Sequence, residues 1–176
     1  MDVNQAIKTK RAVRQYAEES LPPKVIRSIL HAGRRAPSAR NSQPWHFIAI
    51  TDPAILKALT AAGPYIDFVG ESALSVAIIT PPPSETETIL FDAGQTAAYM
   101  QLRAWELGVV SCLGSIYEQA TARRLLGYPE NLYFRIVIAF GYPRSSVVKP
   151  ARRGGRRQLA DVVYRDRWGG AMKDNP

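Results

Sequence analysis

Apolar positions along the chain follow two periods, one helical and one of strands, with turn residues wherever the period changes. Val3 and Ile7 share a face of a predicted first helix that Asp2 can cap, with Gln5 at capping-box spacing, and that stops near Lys10. Residues 11–16, RAVRQY, alternate basic and less polar positions as an extended segment does. Pro22 and Pro23 open a second helix, where the missing proline N–H costs nothing, and Val25, Ile26, Ile29 and Leu30 carry its apolar face. The strand predicted at 45–51, WHFIAIT, puts Trp45, Phe47 and Ala49 on one face and His46, Ile48 and Ile50 on the other. Asp52 caps a third helix with Pro53 at its first position. Residues 73–80, ALSVAIIT, run apolar without alternation, as a strand buried on both faces does, and 81–87 form a loop. Residues 88–107 read as one long helix, apolar over most of its circumference, which must be buried in the core or between subunits. Gly108 ends it. A short strand at 109–114, a helix at 115–127 closed by Gly127, and a strand at 132–143 that ends at Gly141 complete the series. Strands and helices do not alternate as a doubly wound fold requires, so the prediction is an α+β sandwich with helices on one compact sheet.

A chain of 176 residues, 46% apolar, is enough for one domain spanning 1–176 with a real core. The single cysteine, Cys112, forbids an internal disulfide and points to a reducing compartment, the cytoplasm. The first eleven residues lack a signal-peptide apolar run, and no run approaches the ~18 residues a membrane span needs, so no membrane association is expected. A formal charge of +8 invites a nucleic-acid partner. Against it, the sequence has no helix-turn-helix with a basic recognition face, no zinc finger and no aromatic RNA-binding signature, and its aromatics lie in apolar runs rather than among the arginines.

Candidate chemistry is notable for what is absent. His31, His46 and Cys112 have no metal-ligand spacing. There is no Gly-x-Ser-x-Gly elbow, no Gly-x4-Gly-Lys loop and no Gly-x-Gly-x-x-Gly fingerprint. Without an acid, base or nucleophile of its own, the chain is either a binding protein or an enzyme whose chemistry belongs to an organic cofactor. Two basic clusters, Lys10, Arg11 and Arg14 early and Arg152, Arg153, Arg156 and Arg157 late, suit phosphate oxygens or simply solvent. The early one is interleaved with Ala12, Val13 and Tyr16, so part of it faces inward, where a cation needs an anionic partner. The late one is set with Gly154 and Gly155, which let backbone approach a ligand. Residues 36–45, APSARNSQPW, brace neutral donors and acceptors between Pro37 and Pro44. The amides of Asn41 and Gln43 suit the urea-like edge of a flat heteroaromatic ring such as a flavin; an ordinary loop before a strand is the other reading.

The motifs KRAVRQY, APSARNSQPWHF, DAGQTAAYMQLRAWELGVVSCLG, FGYP and RRQLADVVYRDRWG, in that order over nearly the whole chain, resemble the FMN-dependent nitroreductase family. The resemblance implies an α+β sandwich with a mixed or antiparallel sheet, and a homodimer with FMN at its interface and the 88–107 helix as a dimer element. It implies that Lys10, Arg11 and Arg14 form the motif that holds the FMN phosphate, with Arg14 nearer the ring. Pro37, Ser38, Asn41 and Gln43 match the loop that lines the flavin, commonly from the partner subunit. Ser111, Leu113 and Gly114 match the segment that places backbone N–H groups near the ring, and Arg156 and Arg157 the late pair that closes on the phosphate. Ala12 stands in the cofactor motif where many members have serine, and Lys10 where arginine is common. Residues 61–72, AAGPYIDFVGES, match nothing specific, and the chain is short for the family. The implied activity is reduction of nitroaromatics, quinones or similar electron-poor molecules by NADH or NADPH in a ping-pong cycle. A flavin reductase, another reductase on the same scaffold, and a non-catalytic FMN protein are the alternatives.

Overall fold

A computed structural model describes residues 1–84, 88–145 and 155–170. Five α-helices, α1 (Val3–Thr9), α2 (Pro23–Arg34), α3 (Pro53–Leu59), α4 (Thr88–Glu106) and α5 (Gln119–Leu126), pack around four strands, β1 (His46–Ile50), β2 (Leu74–Thr80), β3 (Val110–Ser115) and β4 (Tyr133–Gly141). The helix ends follow local chemistry. The Asp2 carboxylate accepts the Gln5 N–H at 2.8 Å, and Asp52 accepts those of Ala54 and Ile55. Gly127 closes α5 in the left-handed region at φ 70°, where a side chain would be strained.

The sheet order is β1-β2-β4-β3, and every pairing is antiparallel. The expected mixed or antiparallel sheet is thus antiparallel, with a parallel bridge outside the strands between Ala12 and Ser111. Both faces are covered. On one, Trp45, Phe47, Val76, Ile78, Ile138 and Phe140 pack with Ile29 of α2 and Met100 of α4. On the other, Ile48, Ile50, Ala77, Ile79, Val137 and Ala139 pack with Leu56 and Leu59 of α3 and with Ile66, Phe68 and Val69. β2 is buried at every position, which explains its unbroken apolar run. Trp45, Phe47, Ile48 and Ile50 take the faces that alternation predicts.

The third helix, which the sequence pattern carries through residues 51–62, ends as an α-helix at Leu59 and tightens into a 3-10 turn, Thr60–Ala62; a second such turn, Asp67–Glu71, lies where the pattern is silent. Burial of Ile66 and Val69 pins the second against the sheet.

α4 frames the rest. It buries Ile89, Asp92, Ala93, Thr96, Ala97, Met100, Gln101 and Ala104. Its Thr96 hydroxyl donates to the Gly33 carbonyl of α2, and its Trp105 indole donates to the Thr9 hydroxyl at the end of α1. Leu90, Phe91 and Tyr99 remain exposed on the same helix, so its apolar circumference is only partly covered by its own chain. Among the described residues no helix is long and apolar enough to cross a membrane.

Candidate functional site

β3 is an edge strand, and the segment after α1 closes that edge. The Val13 N–H donates to the Ser111 carbonyl at 3.1 Å, Ala12 bridges Ser111, and Tyr16 bridges Pro143. Tyr16 is the anchor. It is 1% exposed, its ring lies against Gly141, where a Cβ would come within 2.9 Å, and its hydroxyl donates to the Ala139 carbonyl. Burial pushes its phenol far above the ordinary range. Arg14, two residues before Tyr16, is exposed and lies over the Phe68 ring at 5.6 Å from its centroid.

Lys10 caps α1 and is half-buried. Burial pushes its ammonium below the ordinary value, the nearby Cys112 opposes that, and Arg156 adds to it. Burial also raises the Cys112 thiol, so at neutral pH it is uncharged and offers Lys10 no anion. None of the ion pairs among the described residues involves Lys10, Arg14, Arg156 or Arg157. Arg156, from the opposite end of the chain, comes near enough to Lys10 to add to that lowering. Such an arrangement repels itself unless an anion sits between the charges. This is the feature on which a phosphate fit rests. A phosphomonoester dianion would supply the missing charge, and Lys10, Arg14 and Arg156 could supply donors for it.

The other predicted residues fall into distinct places. Arg11 turns back: its guanidinium donates to the Lys8 and Lys10 carbonyls and satisfies the C-terminal end of α1. Arg157 donates to the Asp161 carbonyl and so braces its own turn, Leu159–Asp161. Arg152, Arg153 and Gly154 lie outside the described residues. Ser111 is 2% exposed, and its hydroxyl accepts from the Gln101 amide of α4 at 3.1 Å. Strand alternation sends the Ser111 and Leu113 peptide groups to the outer edge of β3, and those of Cys112 and Gly114 toward β4. Leu113 therefore offers an outward N–H. Gly114 has a packing role instead, since a Cβ there would meet Ile66 at 2.5 Å and Val137 at 3.2 Å.

Pro37, Ser38, Asn41 and Gln43 are held elsewhere. The loop makes a 3-10 turn, Ala39–Asn41, in which Arg40, Asn41 and Gln43 all have positive φ, at 53°, 55° and 47°. Three such non-glycine residues within four positions cost energy that contacts must offset. The Gln43 N–H donates to the Ser38 hydroxyl at 2.9 Å, and the Ala39 N–H donates to the Asp92 carboxylate at 3.1 and 3.3 Å. Asn41 and Gln43 stay exposed. Asp92 and Gln101 are nine residues apart on α4, about 13 Å along its axis. Within one protomer the amide loop and the basic edge are thus attached to different stations of one helix.

Beside Arg14 opens a cavity of about 680 Å³ lined also by Gln15, Pro64, Tyr65, Asp67, Phe68 and Arg144. Its size suits a drug-sized heteroaromatic ligand. Arg144 is fixed there by Glu71 at 2.9 Å and by the Tyr16 carbonyl. Sequence reasoning missed Tyr65, Asp67 and Phe68, because 3-10 turns carry no period. It also missed Asp92 and Gln101, for which a signal existed: a carboxylate and an amide interrupting an apolar helix.

Comparisons with known proteins agree with this geometry. A family model described as "Nitroreductase family" matches residues 7–63, from the end of α1 through the amide loop to the 3-10 turn after α3. A protein of Methanothermobacter thermautotrophicus, provisionally named NADH dehydrogenase/NAD(P)H nitroreductase, is 32% identical over 178 residues, covering 96% of this chain and 88% of its own. One of the same name from Archaeoglobus fulgidus is 28% identical over 169 residues, covering 92% and 96%. The solved FMN-dependent nitroreductase of Clostridium difficile superposes with a TM-score of 0.76 at 23% identity, covering 97% of this chain and 98% of its own.

Proposed function

Because this chain belongs to the nitroreductase family of oxidoreductases, we propose that it uses bound FMN to pass electrons from NADH or NADPH to nitroaromatics, quinones or similar electron-poor small molecules. The observation that carries the FMN reading is a half-buried Lys10 that enters none of the ion pairs among the described residues, on the same segment as the exposed Arg14 over Phe68. Lys10, Arg14 and Arg156 would bind the phosphate end, Arg14 on the side nearer the ring, with Arg157 alongside. When bound, FMN accepts hydride from the nicotinamide and releases electrons to the acceptor. Arg14, propped on Phe68, keeps a fixed positive charge beside the ring. That charge stabilises the negative charge gained on reduction and raises the cofactor's potential. The outward Leu113 N–H would give the ring edge a donor, and the cavity beside Arg14 would leave room for the ring and a second planar molecule.

The working unit we infer is a homodimer. Leu90, Phe91 and Tyr99 of α4 are exposed, as are Leu159, Val162, Tyr164 and Trp168 of the tail, and a second copy covers them. The same partner brings its Pro37, Ser38, Asn41 and Gln43 to the flavin that the first protomer's basic edge holds. One cavity serving nicotinamide and then acceptor gives ping-pong kinetics. The buried thiol of Cys112 suits work in the cytoplasm.

The test is the absorption spectrum of the purified protein, followed by anaerobic reduction with each pyridine nucleotide and an acceptor panel. Flavin bands bleached by NADH or NADPH, with parallel double-reciprocal lines, are expected. A colourless protein that gains no flavin bands with added FMN overturns the reading. Bound flavin that neither nucleotide bleaches marks a non-catalytic FMN protein.

A further inference from the structure

Asp92 is 2% exposed on α4, and nothing in the flavin reading above uses it. Its carboxylate faces the amide loop rather than a cation, since none of the ion pairs among the described residues includes it. Both of its oxygens lie within reach of one donor, the Ala39 N–H, at 3.1 and 3.3 Å. That donor belongs to the 3-10 turn Ala39–Asn41, whose Arg40 and Asn41 are left-handed, and which the Ser38–Gln43 hydrogen bond closes. A buried carboxylate is costly, and so are left-handed non-glycine residues. The two costs meet at the Ala39 N–H, which ties the turn to α4, while the turn's own bonds from Asn41 to Ser38 and from Ser42 to Ala39 shape it and Asn41 and Gln43 stay exposed.

We propose that Asp92 is a positioning residue acting across the dimer: through the Ala39 N–H it clamps the strained loop that one protomer presents to the flavin of the other. The proposal rests on the FMN-dimer reading above. It adds that each α4 serves two sites, its own through Gln101 and Ser111, and the partner's through Asp92 and the loop. The distance of about 13 Å between those two stations on one rigid helix is what separates them.

The experiment uses purified dimers and measures FMN by titration and by the visible circular dichroism of the bound flavin. Asp92→Ala weakens FMN binding about tenfold or more, as loss of a buried charged hydrogen bond does, and changes the flavin dichroism. Asp92→Asn keeps an oxygen for the Ala39 N–H and restores both. Ala39→Pro deletes the same bond from the exposed side, fits an extended Ser38, and keeps the test open if Asp92→Ala does not fold. The deciding sample is the heterodimer of an Ala39→Pro or Asp92→Ala protomer with an Arg14→Ala protomer, isolated with two tags. Acting across the dimer, it regains one site of wild-type affinity, because the intact basic edge meets the intact loop. A heterodimer with two weak sites overturns the proposal, and with it the partner's share in the loop, and leaves FMN binding and reduction by this chain standing. An Asp92→Asn variant as weak as Asp92→Ala also overturns it. Wild-type protein that binds no FMN overturns both.

Discussion

The two stations of α4 hold their loads by different physics. Near Gln101 the basic segment is laid along β3 by backbone pairing at Ala12 and Val13, and the buried Tyr16 ring locks it. Near Asp92 the amide loop hangs on one side chain and carries three left-handed residues. Backbone pairing tolerates side-chain change, so Ala12 and Lys10 can depart from the usual family residues without moving the segment. The loop has no such tolerance. In the proposed FMN site, cofactor charge would therefore be met by an arrangement that is cheap to vary, and the ring by one that is easy to break.

The largest effect expected on this contrast comes from charge. Lys10→Ala combined with Arg14→Ala leaves the backbone ladder intact and removes two cations from the phosphate end. Each charge-assisted bond contributes about 1.5–3 kcal/mol, so FMN affinity should fall on the order of a hundredfold or more, while the melting temperature of the apoprotein holds or rises. Fluorescence titration of FMN measures the first and thermal denaturation the second. A large drop in apoprotein stability would mean that these side chains, and not the ladder, hold the segment.

Gly114→Ala should do the reverse. Its Cβ would overlap Ile66 at 2.5 Å in the core under the site, a fault worth about 1–3 kcal/mol, whereas Leu113→Ala at the exposed neighbour should cost little stability. Urea denaturation of both variants ranks them. Equal stabilities would return Gly114 to the cofactor role expected from the sequence.

How much of this could be read beforehand follows from the same contrast. Helix ends were legible because Asp2, Asp52 and Gly127 act on their nearest neighbours, and β2 was legible because burial on both faces leaves no polar position. The sheet's order and the side chosen by each helix depend on distant contacts and were not. At the site, the inward positions of RAVRQY are Tyr16 and, in part, Val13, three apart, while Ala12 and Arg14 are exposed, so alternation alone does not mark them. Arg11 looked identical to its neighbours in sequence. Only the α1 carbonyls it reaches distinguish it from Lys10. Residues 61–72 were opaque because Ile66 and Phe68 are spaced by 3-10 turns, which share no period with a helix or a strand.

A smaller effect belongs to Gln101. Gln101→Leu removes the donor to the buried Ser111 hydroxyl and should cost about 1–2 kcal/mol in stability. FMN affinity should change less than threefold, because the Ala12–Ser111 bridge and the Val13 hydrogen bond remain. An FMN loss as large as that of Asp92→Ala would erase the difference between the two stations.

The smallest effect is a shift with pH, and it isolates Lys10. Burial holds its ammonium below the ordinary 10.5, with Arg156 acting in the same sense. FMN phosphate is a dianion well above its second pKa near 6, so below the alkaline range in which the flavin's own N3–H ionises, titration of the contact is that of the lysine. Binding needs Lys10 charged, so affinity should weaken as pH rises through the lowered value, earlier than an exposed lysine would allow. Stability of the apoprotein runs the other way for this group. Its unfavourable charge is fully present below the folded pKa and is relieved as pH climbs toward 10.5. Tyr16 offsets that gain: its folded pKa is raised, so the stability it contributes is present below the ordinary 10.0 and lost above it. Affinity is therefore the cleaner readout. Lys10→Arg, which stays charged throughout, should bind FMN with no weakening over the same alkaline range, and a wild-type profile as flat as that of the variant would take Lys10 out of the phosphate site.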